Sequence, residues 1–162
     1  MIPESDDVRI RPARPADLDA IVRITGEVFG PFALEAHIER MLGPGRSGWL
    51  EIKAQGLRHE LQAYPDACFV AELGGRVVGY VTNTVSDRAS RGTVANLAVS
   101  ADCQGRGVGR RLLLRSLAHF RKLGLKQAKI ETLACNDAGR HLYPSVGFRE
   151  VVRQIHYVMP LD

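Results

Sequence analysis

A chain of 162 residues with 45% apolar and 25% charged residues has the balance of one globular domain, 1–162. It can bury about 70% of its extended-chain surface. Three cysteines without a CxxC pair and five scattered histidines exclude a disulfide framework and a zinc site. The polar, acidic start and the lack of a membrane-length apolar run point to a reduced, cytoplasmic setting with no membrane partner.

In chain order, Val8–Arg11 alternates like a short strand, and Pro12 and Pro15 lead it into a helix. That helix carries the apolar stripe Leu18, Ile21, Val22, Thr25, Val28 and Phe29, and Gly30-Pro31 stops it. A short helix over Ala33–Leu42 ends at a Gly-Pro-Gly run. Helical spacing then resumes through Leu50, Ala54, Leu57, Leu61 and Tyr64 as far as Pro65, with Gly56 as a weak point. Cys68–Leu73 and Arg76–Val85 flank Gly74-Gly75, whose freedom to take positive φ suits a two-residue hairpin. Ser86–Gly92 returns the chain as a strand, Thr93–Val99.

Next comes a glycine-rich turn, Gly105, Gly107 and Gly109, and a helix from Val108 with Leu112, Leu113, Leu117, Phe120 and Leu123 on its apolar face. Gly124 stands where such a helix takes a left-handed terminal residue. Ala128–Ala134 reads as a strand, Asp137–Tyr143 as a short helix, and Phe148–Val152 and Ile155–Met159 as two closing strands joined at Arg153-Gln154. This order predicts an α/β (α+β) fold, a mixed and mostly antiparallel sheet of about seven strands flanked by helices.

The strand, turn and helix from Thr93 to Leu123 carry the chemistry. Glycines at a helix N-terminus leave backbone N–H groups facing outward at the positive end of the dipole, an anion site. A P-loop would need Lys-Ser/Thr after Gly109, where Arg110-Arg111 stands, and the dinucleotide pattern Gly-x-Gly-x-x-Gly fails at Arg110. The net charge of +4 and pI near 9.2 come largely from Arg106, Arg110, Arg111, Arg115, Arg121, Lys122, Lys126 and Lys129, in and after this turn. No aromatic platform interleaves them, so the chain is not expected to bind nucleic acid.

The pattern that does fit is Gln-x-x-Gly-x-Gly, met by Gln104, Gly107 and Gly109 after a strand. It resembles the pyrophosphate signature of the GNAT superfamily of acetyl-CoA-dependent N-acetyltransferases. Asn136-Asp-Ala-Gly139-Arg-His-Leu142-Tyr143-Pro-Ser-Val-Gly147-Phe148 is similar to that family's second signature, Asn-x-x-Ala-x-x-Leu-Tyr-x-x-x-Gly-Phe. The resemblance covers Asp66 to Phe148. Gly139 replaces the usual alanine, and Pro144 follows the tyrosine, where it disfavours helical geometry.

The resemblance implies splayed fourth and fifth strands that admit the pantetheine arm of acetyl-CoA, the acetyl donor, with no metal. It places Leu97, Ala98 and Val99 along that arm, with the Leu97 N–H as oxyanion donor. Gln104, Gly105, Arg106, Gly107, Val108, Gly109 and Arg110 would hold the pyrophosphate, and Asn136 would touch the arm near the strand gap. Tyr143 is the implied proton donor to the thiolate. Glu131, five residues before Asn136, matches the catalytic glutamate of ribosomal-protein N-terminal acetyltransferases, although a surface pair with Lys129 explains it equally. The implied activity is acetyl transfer to a primary amine, of a small molecule or of a peptide or protein, by direct attack in a ternary complex. A homodimer is compatible with this. Two alternatives stay open: a non-catalytic acyl-CoA sensor and, more distantly, a nucleic-acid-binding module. The short Arg153-Gln154 connection implies an open acceptor side, which suits a peptide or protein amine.

Overall fold

The computed structural model describes residues 8–161. The acidic start therefore lies outside the described residues. Five strands form one sheet in chain order: β1 (Arg9–Pro12), β2 (Phe69–Leu73), β3 (Arg76–Ser86), β4 (Arg91–Val99) and β5 (Gln127–Ile130). The first three pairings are antiparallel and the last, β4 with β5, is parallel. The helices are α1 (Leu18–Val28), α2 (Leu34–Leu42), α3 (Trp49–Ala63), α4 (Val108–Lys122) and α5 (Asp137–Ser145).

The elements follow the periodicities that predict them. Gly74 and Gly75 take φ of 56° and 77° in the β2–β3 hairpin, which a residue with a β-carbon resists. Gly56 does not interrupt α3, because Leu57 beside it is fully buried and packing outweighs a propensity deficit of about 1 kcal/mol. Pro144 sits in the last turn of α5, where few carbonyls still need a donor, so the helix passes through it to Ser145.

The sheet is covered on both faces. On one, Phe69, Ala71, Val78, Val81, Val94 and Val99 pack against Leu112, Leu113, Leu117 and Phe120 of α4. On the other, Val70, Val77, Tyr80 and Ala98 pack against Ile21 and Ile24 of α1 and Leu57 of α3. Tyr80 brings a hydroxyl into that core and shares a 2.7 Å hydrogen bond with Thr25. Burial holds its phenol well above the usual range.

Three expectations need correction. The fifth strand is short, Gln127–Ile130, because the chain leaves the ladder before reaching Glu131. The two closing strands, Phe148–Val152 and Ile155–Met159, are not formed, so the sheet has five strands rather than about seven. Gly147, at φ 106°, and the bond from Phe148 N–H to the Tyr143 carbonyl (3.1 Å) turn the chain off the end of α5. Beyond Phe148 it runs without a ladder partner, and Val151, Ile155 and Tyr157 are exposed. Alternating apolar residues suit a strand, but a strand exists only where a neighbour takes its backbone groups. The third correction follows from this: Arg153-Gln154 is not a hairpin turn, and Arg153 instead pairs with Glu150 at 2.7 Å.

Gly92 in β4 lies under Phe120. A β-carbon there would stand 2.4 Å from the ring, far inside contact distance. Gly92→Ala is expected to cost about 1–3 kcal/mol through overpacking. Thermal unfolding should register this as a midpoint lowered by roughly 2–4 °C per kcal/mol. An unchanged midpoint would mean that Phe120 does not hold this place.

Candidate active site

The site begins where a ladder ends. Arg91 to Val94 of β4 pair with Gln127 to Ile130 of β5, and no pairing continues beyond Val94 and Ile130. On its other edge β4 stays paired with β3 as far as Val99. Residues 95–99 therefore present to a gap a backbone edge without a strand partner, the kind of edge along which an extended, amide-bearing molecule can bind. Leu97 packs toward α4, while Ala98 faces α1 and α3.

A bulge sharpens this geometry. Thr82 of β3 pairs with Asn96, but the next residue, Asn83, pairs with Val94, so Ala95 is extra. The extra residue reverses the alternation. Val94 faces the α4 layer, and Asn96 is turned to the opposite face, where its amide nitrogen reaches Glu60 of α3 at 2.8 Å.

The strand runs into a short 3₁₀ turn, Ala101–Cys103, and then the glycine turn. Gln104 folds back to donate from Nε2 to the Val99 carbonyl (3.0 Å), closing the end of β4. Gly105 and Gly107 have φ of 74° and 76°. Gly107 is the N-cap of α4, and no side chain caps that terminus. The leading N–H groups of Val108, Gly109 and Arg110 have no intrahelical acceptor, so an anion meets unengaged donors at the positive end of a 15-residue helix. Arg106 is half-buried beside them. Arg110 is tied by Nη1 to the Ser145 hydroxyl (2.9 Å), which locks the start of α4 to the end of α5. Gly109 lies close to Val99 and Leu142, each 3.7 Å from where its β-carbon would be.

Helix α5 supplies the next group. Asn136 is its N-cap, accepting from the Gly139 N–H at 3.1 Å and donating to the Thr132 hydroxyl at 2.9 Å. A β-carbon at Gly139 would stand 2.8 Å from the Asn136 amide nitrogen and 2.9 Å from the Tyr143 ring. The glycine that departs from the family pattern thus makes room for both. Tyr143 packs against the α4-side core and meets Phe148 edge-on, with centroids 6.3 Å apart. Its phenol is raised above the ordinary value by burial, so it stays protonated at neutral pH. No hydrogen bond from a described residue engages its hydroxyl.

Glu131 stands just beyond β5, 75% exposed at its side chain, with an oxygen 3.0 Å from Lys129 Nζ. Its charge also acts on Lys53 of α3, together with Glu60 and Glu35. Lys53, Leu57 and Glu60 share the inward face of α3. Burial lowers the Lys53 pKa, the three carboxylates oppose that shift, and its Nζ lies 5.2 Å from the centre of the Phe29 ring. Sequence reasoning missed Glu60, Lys53 and Thr82, and used Asn96 only for its place in the strand. The available signal was the spacing of Lys53 and Glu60, which puts two charged residues on the helical face of buried Leu57. Among the described residues, no group of three His, Cys, Asp or Glu is placed to hold a metal, and no helix is long and apolar enough to cross a membrane.

A mixed sheet whose fourth strand loses its β5 partner and runs into a glycine turn and an uncapped helix defines the class of fold. Residues 34–148 match the model of the acetyltransferase (GNAT) family, and the chain belongs to that family. Mycothiol acetyltransferase of Acidothermus cellulolyticus is 30% identical over 165 residues, covering 89% of this chain and 45% of that protein. The chain spans about half the length of the curated relatives it matches. Among solved structures, PaiA N-acetyltransferase of Thermoplasma acidophilum in complex with coenzyme A superposes with a TM-score of 0.71 at 18% identity, covering 88% of this chain and 89% of that one. Ribosomal-protein-alanine N-acetyltransferase of Brucella melitensis superposes with a TM-score of 0.66 at 25% identity, covering 89% and 86%.

Gly139 gives a direct check on the α5 geometry. Glycine-to-alanine substitution in a helix ordinarily stabilises by up to about 1 kcal/mol. Here the added methyl displaces Asn136 or Tyr143, so Gly139→Ala is expected to melt no higher than the parent. A rise of about 4 °C, the full effect of that propensity gain, would show that neither side chain is held there.

Proposed function

We propose that the chain transfers the acetyl group of acetyl-CoA to a primary amine by direct attack in a ternary complex. The observation that carries this reading is the union of an unpaired β4 edge with an uncapped glycine turn at its end. An edge that pairs with amides and a terminus that binds an anion fit pantetheine and pyrophosphate respectively. Bound acetyl-CoA supplies the activated thioester carbonyl.

The residues divide the work as follows. Gln104 braces the turn, and Gly105 to Arg110, with Arg106, hold the pyrophosphate. The backbone of Leu97, Ala98 and Val99 positions the arm, the Leu97 N–H receiving the developing oxyanion. A preorganised backbone donor at this place is commonly worth about 10²–10³ in rate. Asn136, besides capping α5, borders the gap. Tyr143 donates its proton as charge builds on the departing sulfur. Glu131, at the solvent side, draws the ammonium in and relays to bulk water the proton that the amine loses.

The acceptor we propose is a peptide or protein α-amine. Two observations support this reading: residues 149–161 are exposed and form no hairpin, and one structural neighbour is named for a ribosomal-protein alanine. Tyr143→Phe removes only a hydroxyl that no described residue engages. Thiol release from acetyl-CoA with an alanine-initiated peptide is therefore expected to slow by roughly 10²-fold or more, with CoA affinity by calorimetry unchanged. Undiminished turnover, under conditions where chemistry limits the rate, would return Tyr143 to a packing role.

A further inference from the structure

On the α3 side of the sheet, the face away from Tyr143, lies a polar cluster to which the acetyl-transfer reading gives no task. Glu60 Oε2 accepts from the Thr82 hydroxyl at 2.5 Å and from Asn96 Nδ2 at 2.8 Å. Asn96 Nδ2 also donates to Thr82 Oγ1 at 2.8 Å. Thr82 is fully buried and Asn96 is 5% exposed. Two polar atoms are left over. Glu60 accepts both of these bonds on Oε2, which leaves Oε1 without one, and Asn96 Oδ1 has no hydrogen-bond partner. A buried, unpaired acceptor costs about 1–3 kcal/mol, and it calls for an N–H donor.

The cluster's position suggests whose donor that is. Asn96 immediately precedes Leu97 and lies within the β4 stretch that has no β5 partner. The bulge at Ala95 turns its side chain to the α3 face, whereas Tyr143 packs on the α4 face. A nucleophile and a leaving group at a carbonyl held in the gap are thereby addressed from opposite faces of the sheet. Charge agrees with this. Glu60, Glu131 and Glu35 act on Lys53, and Lys129 pairs with Glu131, so three carboxylates stand against two ammonium groups and the excess negative charge favours an incoming ammonium.

We propose that Glu60 and the Asn96 amide oxygen receive the acceptor's amine at the gap, with Glu60 taking its proton; this rests on the acetyl-transfer reading. The acceptor arrives as an ammonium. One proton passes to the Glu60 carboxylate, and Asn96 Oδ1 accepts a second N–H to aim the freed lone pair. That lone pair forms the C–N bond to the thioester carbon, and the carbonyl π electrons move to oxygen. On collapse the C–S bond breaks, and sulfur takes the Tyr143 proton. The new amide nitrogen loses its surplus proton to water on its own face, Tyr143 regains a proton from water on the other, and Glu60 releases its proton to water past Glu131. The sum is ammonium plus acetyl-CoA giving amide, CoA thiol and one proton. Thr82 is a positioning residue, acting through Glu60.

The titratable and charged groups that face Glu60 are Lys53 on its own helix, Cys68 just before β2, Tyr80 on β3, and Glu131 and Glu35 around Lys53. Burial pushes the Cys68 thiol up to about 11, and Tyr80 is raised also, so both remain neutral while the peptide α-amine titrates.

The test uses the full chain, with an alanine-initiated peptide and, separately, a high concentration of n-butylamine as acceptors. Glu60→Gln keeps the shape and can still accept from Asn96 and Thr82, so the thermal midpoint and CoA affinity should stay near the parent's. Its kcat should fall by roughly 10²–10⁴ at neutral pH and recover as pH rises through the pKa of the acceptor amine. Asn96→Ala should raise KM for the acceptor more than it lowers kcat. Glu51→Gln, exposed in the first turn of the same helix, serves as the control and should match the parent. A Glu60→Gln enzyme within a few-fold of the parent at every pH would overturn the proposal. If Glu60→Gln fails to fold, Thr82→Val decides: an unaltered pH profile in that variant counts against Glu60. Parent protein that binds CoA but releases no thiol with either acceptor would overturn the acetyl-transfer reading instead.

Discussion

Everything at the site depends on where one parallel ladder stops. Pairing of β4 with β5 ends at Val94 and Ile130, so residues 95–99 keep β3 on one side and lose their neighbour on the other. In a sheet interior, leaving backbone groups unpaired costs free energy unless water or a ligand takes them. The protein therefore carries a built-in demand for an edge partner, set next to a helix terminus that no side chain caps. A molecule with both amides and phosphates meets both demands together.

The second constraint is the bulge at Ala95. A strand with strict alternation would place Val94 and Asn96 on one face, and either the α4-side core would gain a buried amide or Glu60 would lose its partner. One extra residue resolves this. Val94 stays with Phe120 and Leu112, while Asn96 joins Glu60 and Thr82 on the far face. The sheet thus separates two chemistries, with a neutral phenol on one face and carboxylates on the other.

Much of the fold was legible in the sequence because it rests on local signals. The hairpin at Gly74-Gly75, the helix from Val108 and the left-handed Gly124 each follow from two to four residues of turn chemistry or a repeated apolar spacing. The closing strands were not legible, because alternation at Val151 to Met159 says nothing about whether a neighbouring edge is within reach. The glycine turn was visible as a pattern, but its lack of a capping side chain was not. Glu60 escaped for a different reason. Its importance comes from Thr82 and Asn96, which are 22 and 36 residues away and meet it only because a bulge re-aims one of them. Gly139 shows the converse. By propensity it looks like a weak point in α5, but its missing β-carbon is the space that Tyr143 and Asn136 occupy.

The central claim is that the unpaired edge of β4 and the glycine turn together form one acetyl-CoA cradle. Amide hydrogen exchange with and without acetyl-CoA, resolved to single residues, tests it most directly. Exchange is expected to slow at the gap-facing amides within 95–99 and at 105–110 together, with β2 and α1 unchanged. Tight acetyl-CoA binding that leaves both stretches exchanging as in the free protein would contradict the account.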